Sequence, residues 1–367
     1  MEIMERAQEL ERQGRDIIHL EVGEPDFPTP ECIKEAAYRA LRDGETHYSA
    51  SVGILPLREA VCEYFHARYG VAITPDRVVI TSGTSPGILL ALSSFLGEGD
   101  EVILSNPHYA CYPQFINYVG GAPVLVDTRE ETGFELEPEA VRERIGPRSR
   151  AIMISSPSNP TGHVMDASVI REIASIGPII VSDEIYHGLV YEGKEHSALE
   201  FTDNAFVLNG FSKLYAMTGW RLGYIITPPQ YQRLIQKMQQ NFFIAPNTFV
   251  QWAGIAALKE AQPDVDKMVA AFNERRGLIV RRIKEIGFGV AKEPTGAFYV
   301  LANARRFTDD SLKFAFEALE NAGVGITPGI DFGSNAEGFV RFSYANSLEN
   351  IEEGMNRLEN YLASLEG

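Results

Sequence analysis

Between residues 77 and 209 six short aliphatic runs, RVVI (77–80), EVIL (101–104), PVLV (123–126), AIMI (151–154), PIIV (178–181) and FVLN (206–209), follow one another, with amphipathic segments between most of them. Runs this continuously apolar keep no polar face for solvent, so a sheet built from them has to be covered on both sides. The alternation therefore predicts an α/β fold: a large domain with a mostly parallel sheet wrapped by helices. The opening MEIMERAQELERQGRD is helical in pattern. Two further helices are expected ahead of the sheet. One begins at Pro30 and stops before Gly44, and one carries Leu57, Val61, Tyr64 and Phe65 on a single face and ends at Gly70.

After about residue 246 the pattern changes to long helices, about 246–260 and 264–286, then short strands and a last helix from Ser347. This reads as a smaller α+β domain. The division is set at 36–255 for the large domain, with 1–35 and 256–367 forming the small one. No low-complexity linker marks the boundary, which falls inside a long helix.

In open α/β sheets ligands sit beyond the carboxyl ends of the strands. Here RVVI runs into TSGTSPG, EVIL into SNPHY, AIMI into SSPSNPTG, PIIV into SDEIY and FVL into NGFSK, so five polar strand ends converge on one candidate pocket. TSGTSPG opens the helix ILLALSSFL. The amides of Gly83, Thr84 and Ser85, with two hydroxyls, would form an anion site at its N-terminus, although a plain capped turn has the same composition. Lys213 follows a strand directly and sits among Phe211, Leu214 and Tyr215. Such surroundings would lower its pKa and favour the nucleophilic amine over an ordinary solvated lysine. Arg221 lies eight residues on, flanked by Gly219 and Gly223; buried there, it would need an anion. Asp183 ends a strongly apolar strand, as a helix cap for EIYHG or as a carboxylate facing a cation, and Tyr186 can point into the same space.

Composition removes several function classes. At 367 residues the chain is of enzyme size, and its 45% apolar and 23% charged residues are those of an ordinary globular protein. A formal charge of −17 would repel nucleic acids and anionic lipid, so neither is an expected partner. No apolar run approaches the roughly 18 residues of a membrane span. The cysteines Cys32, Cys62 and Cys111 form no CxxC pair, which fits a reducing cytoplasm. The seven histidines show no ligand spacing, and no metal is expected.

GEPDFPTP (23–30), HYSASVGILPLREAV (47–61), SPSNPTG (156–162), SDEIYHGLVYEG (182–193), NGFSKLYAMTGWRLGY (209–224) and VRFSYANSLENIEEGMNRL (340–358), in that order, resemble the class I (fold type I) pyridoxal-5′-phosphate (PLP) aminotransferases. The likeness is to their bacterial and archaeal aspartate aminotransferase-like branch, and it spans essentially the whole chain. It implies an enzyme that moves an amino group from an L-amino acid to a 2-oxo acid by a ping-pong mechanism. Lys213 would hold PLP covalently, and Asp183 would pair with its pyridine nitrogen. Asn159 and Tyr186 would hydrogen-bond the ring oxygen, and Tyr109 would stack on the ring. Arg221 and the loop Gly83, Thr84 and Ser85 would hold the phosphate, reached also by Tyr48 from the neighbouring subunit of a homodimer. Arg341 would bind the substrate α-carboxylate as a bidentate fork, with the backbone of Gly23 close by.

Two positions depart from the pattern. Gly210 stands where many relatives carry a phosphate-binding serine or threonine, and Ser85 where aspartate-specific bacterial members often have a lysine for the distal carboxylate. The second departure weakens the case for aspartate specificity. The rival activities are a PLP-dependent C–S lyase of the cystathionine β-lyase kind, which shares the fold, and a non-catalytic PLP-binding regulator. The acidic chain, with no helix-turn-helix at its start, argues against the regulator.

Overall fold

The computed structural model of the protein describes residues 2–365. A two-residue strand, β1 (Ile18–His19), precedes a seven-stranded sheet of β2 (Val78–Thr81), β3 (Glu101–Asn106), β4 (Ala122–Asp127), β5 (Ser149–Ser155), β6 (Ile179–Asp183), β7 (Ala205–Gly210) and β8 (Gly223–Ile226). Their spatial order is β2-β8-β7-β6-β5-β3-β4. The six expected runs form six of these strands and all point the same way. The seventh, β8, was not among the expected strands. It slots antiparallel between β2 and β7, pairing Thr81 with Gly223 and Gly210 with Gly223. Its apolar run is short and hidden behind a polar motif, which is why periodicity misses it.

Successive residues along these strands belong to different cores, as a sheet covered on both faces requires. Val78, Ile80, Ile152, Ile180 and Val207 pack into one core, whereas Val79, Ala151, Val181, Phe206 and Leu208 pack into the other. Burying each such valine, isoleucine, leucine or phenylalanine contributes roughly 1.5–3 kcal/mol, set against the chain entropy lost in ordering it.

The helices ahead of the sheet are α1 (Glu2–Arg12), α2 (Glu31–Arg42) and α3 (Leu55–Tyr69). Pro30 precedes the first residue of α2, and Gly70 ends α3 in the left-handed conformation at φ 70°, which a glycine adopts without steric cost. The helix opening at the TSGTSPG motif is α4 (Thr84–Ser93).

Helices Thr248–Glu260 and Gln262–Glu285 are separated only by Ala261. Beyond them, β9 (Tyr299–Asn303), β10 (Val324–Gly325), β11 (Thr327–Pro328) and β12 (Phe339–Ser343) precede the last helix, Leu348–Leu365. An antiparallel sheet has the order β11-β12-β9, and β1 pairs in parallel with β10, which ties the N-terminal segment to the C-terminal region. Among the described residues no helix is long and apolar enough to cross a membrane.

Candidate active site

All strands of the large sheet except β8 share one direction, so their polar carboxyl ends open on one edge. There a cavity of about 440 Å³ lies between that edge and the antiparallel sheet of β9, β11 and β12. Lys213, Asp183, Tyr186, Tyr109, Asn159, Arg221, Arg341, Thr84, Ser85 and Gly23 all line it. Tyr48 does not. It is 83% exposed on its own chain.

Lys213 leaves the end of β7, and its Nζ donates to the Gly23 carbonyl at 2.6 Å. Burial lowers its pKa to about 8, and the Arg341 and Arg221 charges push the same way against the opposing pull of Glu24 and Asp183. An amine at pH 7 is then about one-tenth unprotonated, far more than a surface lysine would be.

Asp183 is 5% exposed at the end of β6. Burial raises its pKa, while hydrogen bonds from Tyr112 Oη (2.7 Å) and the Ile185 amide (3.2 Å), with the Lys213 charge, oppose that rise. The local bond to Ile185 resembles the expected cap, but the EIYHG segment that follows is a turn and not a helix.

Gly83 has φ 93° and caps α4. A Cβ there would lie 2.3 Å from Arg221 Nη2, so only glycine lets the guanidinium rest across the helix start. Arg221 itself holds φ 52°, a left-handed conformation that costs a non-glycine residue free energy. Its guanidinium donates to the Thr218 carbonyl at 2.9 Å and, among the described residues, pairs with no carboxylate. The expectation of a buried arginine is corrected here: Arg221 is exposed to the cavity, because it lies over the helix terminus. A helix N-terminus, two hydroxyl residues and an uncommitted guanidinium make a cradle of the charge and size a phosphate monoester needs. Gly210 also finds its reason. A Cβ on it would meet the Gly223 Cα at 2.9 Å, so a serine there would push β7 and β8 apart.

Arg341 occupies the middle of β12, opposite Leu301 and Thr327. It is 6% exposed, and its ring contacts are Tyr299 at 4.3 Å and Phe332 at 5.0 Å. Nη1 donates to Asn159 Oδ1 (2.9 Å), and Nη2 donates to the Glu21 carbonyl (2.6 Å) and Thr327 Oγ1 (3.1 Å). Every one of these partners is neutral, and Nε has none among the described residues. A buried guanidinium without a counter-ion is costly, and a carboxylate entering the cavity would supply one.

Sequence reasoning missed two tyrosines. Tyr112, edge-on to Tyr109 at 5.3 Å, holds Asp183. Tyr299 hydrogen-bonds Tyr186 at 2.9 Å and sits so close to Gly23 that a Cβ there would fall 2.5 Å from its hydroxyl. Tyr112 opens the helix Tyr112–Tyr118 three residues after Tyr109, with a turn between them, and that short separation was a usable signal for it. Nothing in GAFYVLAN separates Tyr299 from a core aromatic.

Residues 15–358 match the family model for class I and II aminotransferases. The chain is 44% identical to the (5-formylfuran-3-yl)methyl phosphate transaminase of Methanocaldococcus jannaschii, over 99% of this chain and 96% of the relative. It is 42% identical to an aspartate aminotransferase of Pyrococcus horikoshii, over 98% and 93%. The Thermus thermophilus aspartate aminotransferase solved with maleate superposes with a TM-score of 0.94 at 38% identity, covering 98% of this chain and 95% of that one. The chain belongs to the class I and II aminotransferase family. It is a PLP-dependent transaminase of fold type I.

Proposed function

We propose that the cavity divides into a cofactor end, held by Lys213, Asp183 and the α4 cradle, and a substrate end set by Arg341. The observation that carries this reading is the pair of arginines without carboxylate partners, Arg221 at the helix terminus and Arg341 on β12, on either side of a lysine brought down to about 8. They match a ligand set with one phosphate and one carboxylate. Gly83, Thr84, Ser85 and Arg221 would hold the phosphate, Tyr109 the face of the ring, Asn159 and Tyr186 its phenolic oxygen, and Asp183 its nitrogen.

Bound PLP supplies the electron sink that lets an amino acid lose its Cα proton. The chain's residues do the rest. Arg341 orients the α-carboxylate as a planar fork, stiffened by Asn159 and the Glu21 carbonyl. Hydrogen bonds from Tyr112 and the Ile185 amide favour the ionised form of Asp183 against the pull of burial. With PLP bound, Lys213 Nζ would be the base that takes the Cα proton and returns it for the second half of a ping-pong cycle. Gly23 O holds Nζ beside that path.

The same reading makes the protein a homodimer. Tyr48 lies outside its own cavity, and Tyr38, Leu41, Leu55, Phe242 and Ile244 are also exposed, apolar side chains that a partner subunit would cover. In the dimer Tyr48 reaches the partner's phosphate. The division into 36–255 and the two flanking segments assigns the cofactor end to the larger unit and Arg341 to the smaller. A reducing cytoplasm is the compartment this reading expects, and the free Cys32, Cys62 and Cys111 are compatible with it. The substrates are an L-amino acid and a 2-oxo acid, with aspartate one donor among several. Borohydride reduction of the holoenzyme followed by peptide mapping tests the reading. A pyridoxyl group on any lysine other than Lys213 would overturn it.

A further inference from the structure

Strand β6 ends in two adjacent carboxylates that leave the sheet on opposite sides. Asp183 faces the cavity. Glu184 turns into the opposite core, is 1% exposed and takes no part in the cavity wall. Its Oε1 accepts three hydrogen bonds, from Ser182 Oγ (3.0 Å), Ser197 Oγ (3.1 Å) and the Ala198 amide (2.9 Å). Its Oε2 lies 3.5 Å from His187 Nδ1 and has no hydrogen-bond partner among the described residues. His187, equally buried, meets Tyr69 Oη of α3 at 2.7 Å, and the Ser156 backbone lies against its ring. Ser156 in turn donates its amide to the Asp183 carbonyl at 3.2 Å. His187 therefore sits where the turn carrying Asp183 and Tyr186 meets the loop carrying Asn159.

Among the described residues no lysine or arginine pairs with Glu184. The charged and titratable groups facing the pair are Tyr64, Arg68 and Tyr69 from α3, Tyr224 from β8, and Glu195, His196 and Glu200 from the following loop. Arg68 is taken by Glu195, with Nε at 2.6 Å, and His196 by Glu200. Burial pushes Glu184 up to about 8, against its hydrogen bonds, and pushes His187 down to about 4. The pair thus holds a single proton at neutral pH, on the carboxyl.

We propose that Glu184 and His187 are a buried carboxyl–imidazole pair that positions the Asp183–Tyr186 turn against the Asn159 loop from the side of the sheet away from the cavity. They act through Asp183 and touch neither substrate nor cofactor. The proposal rests on the assignment of Asp183 to the ring nitrogen only for its effect on rate; the proton count stands apart from that assignment and is tested separately.

The experiment compares the wild-type holoenzyme with Glu184→Gln and Glu184→Ala. A carboxyl with its folded pKa raised to about 8 keeps a proton that the unfolded chain gives up above about 4.5, so it loses stability as pH rises through that window. The Tm advantage of Glu184→Gln over wild type should therefore widen steadily from pH 5 to pH 8 and then level off. An advantage that stays flat or shrinks over that range means an ionised Glu184, and overturns the pair. In single turnovers Glu184→Ala should lose at least about tenfold in rate with a nearly unchanged KM, and Glu184→Gln should recover most of it, because the amide oxygen can still accept from Ser182, Ser197 and Ala198. Equal losses in both variants, or no loss in Glu184→Ala, would overturn the positioning role. If Glu184→Ala does not fold, the Tm comparison with Glu184→Gln decides.

Discussion

Removing the Tyr112 hydroxyl isolates what holds Asp183 in its charged form. The carboxylate is fully buried and accepts two hydrogen bonds, at 2.7 Å from Tyr112 and 3.2 Å from the Ile185 amide. The shorter one goes to a charged acceptor, an interaction worth about 1.5–3 kcal/mol. Tyr112→Phe deletes it with almost no change in packing. The proton affinity of Asp183 should rise, in the direction burial already pushes it. Any proton shared with a ring nitrogen opposite then moves toward Asp183, and the electron sink weakens. A stopped-flow single turnover with a saturating amino acid at pH 7.5 should show Cα-proton loss slowed about tenfold to a hundredfold. Cofactor content and Tm, measured on the same preparation, separate this from a folding defect. A rate within twofold of wild type at full cofactor occupancy would refute the reasoning, since Asp183 would then be held by something other than Tyr112.

Lys213→Ala should abolish turnover yet leave a folded protein that binds PLP without a covalent bond, as gel filtration and dialysis would show. In the cofactor-free protein, acylation of Lys213 should reach half its maximal rate near pH 8, where surface lysines are still protonated; a midpoint above about 10 would mean the amine is not desolvated. Asp183→Ala should lower kcat on the order of 10² to 10³, the usual loss for a preorganised charge partner, with an undiminished kcat as the refuting result. Arg341→Lys keeps the charge but loses the fork that reaches Asn159 and the Glu21 carbonyl, so kcat/KM should fall about tenfold to a hundredfold, mainly through KM.

The sheet and the site were legible to different depths. Six strands announced themselves because burial on both faces removes polar residues from their interiors, and the polar groups at their ends then stand out. Lys213 and Asp183 were visible on that ground, whereas Asn159, in a segment that reads by itself as a turn, was named only through the family resemblance. β8 was not, because GYII shares its motif with Arg221 and its antiparallel pairing depends on Gly210 and Gly223 coming within contact of each other. The bond from Tyr112 to Asp183 joins residues 71 apart through strand order alone. The orientation of Arg221 was equally hidden, since its exposure follows from lying over Gly83 at the start of α4.

Substrate choice follows from counting charges in the cavity. Among the described residues its lining cations are Lys213, Arg221 and Arg341, and the proposed roles commit the first two to PLP and the third to the α-carboxylate. Ser85 stands where a fourth cation would reach a distal carboxylate, and the wall also carries the acidic side chains Glu21 and Asp331. A dicarboxylate therefore gains no charge-assisted hydrogen bond from this chain, and such a bond is worth roughly 1.5–3 kcal/mol, or about ten- to a hundredfold in kcat/KM. Single-turnover rates for aspartate, alanine and phenylalanine should accordingly lie within about a hundredfold of one another. A preference for aspartate above about a thousandfold would show that the partner subunit brings the missing cation to the cavity mouth, and the specificity would then belong to the dimer and not to the single chain.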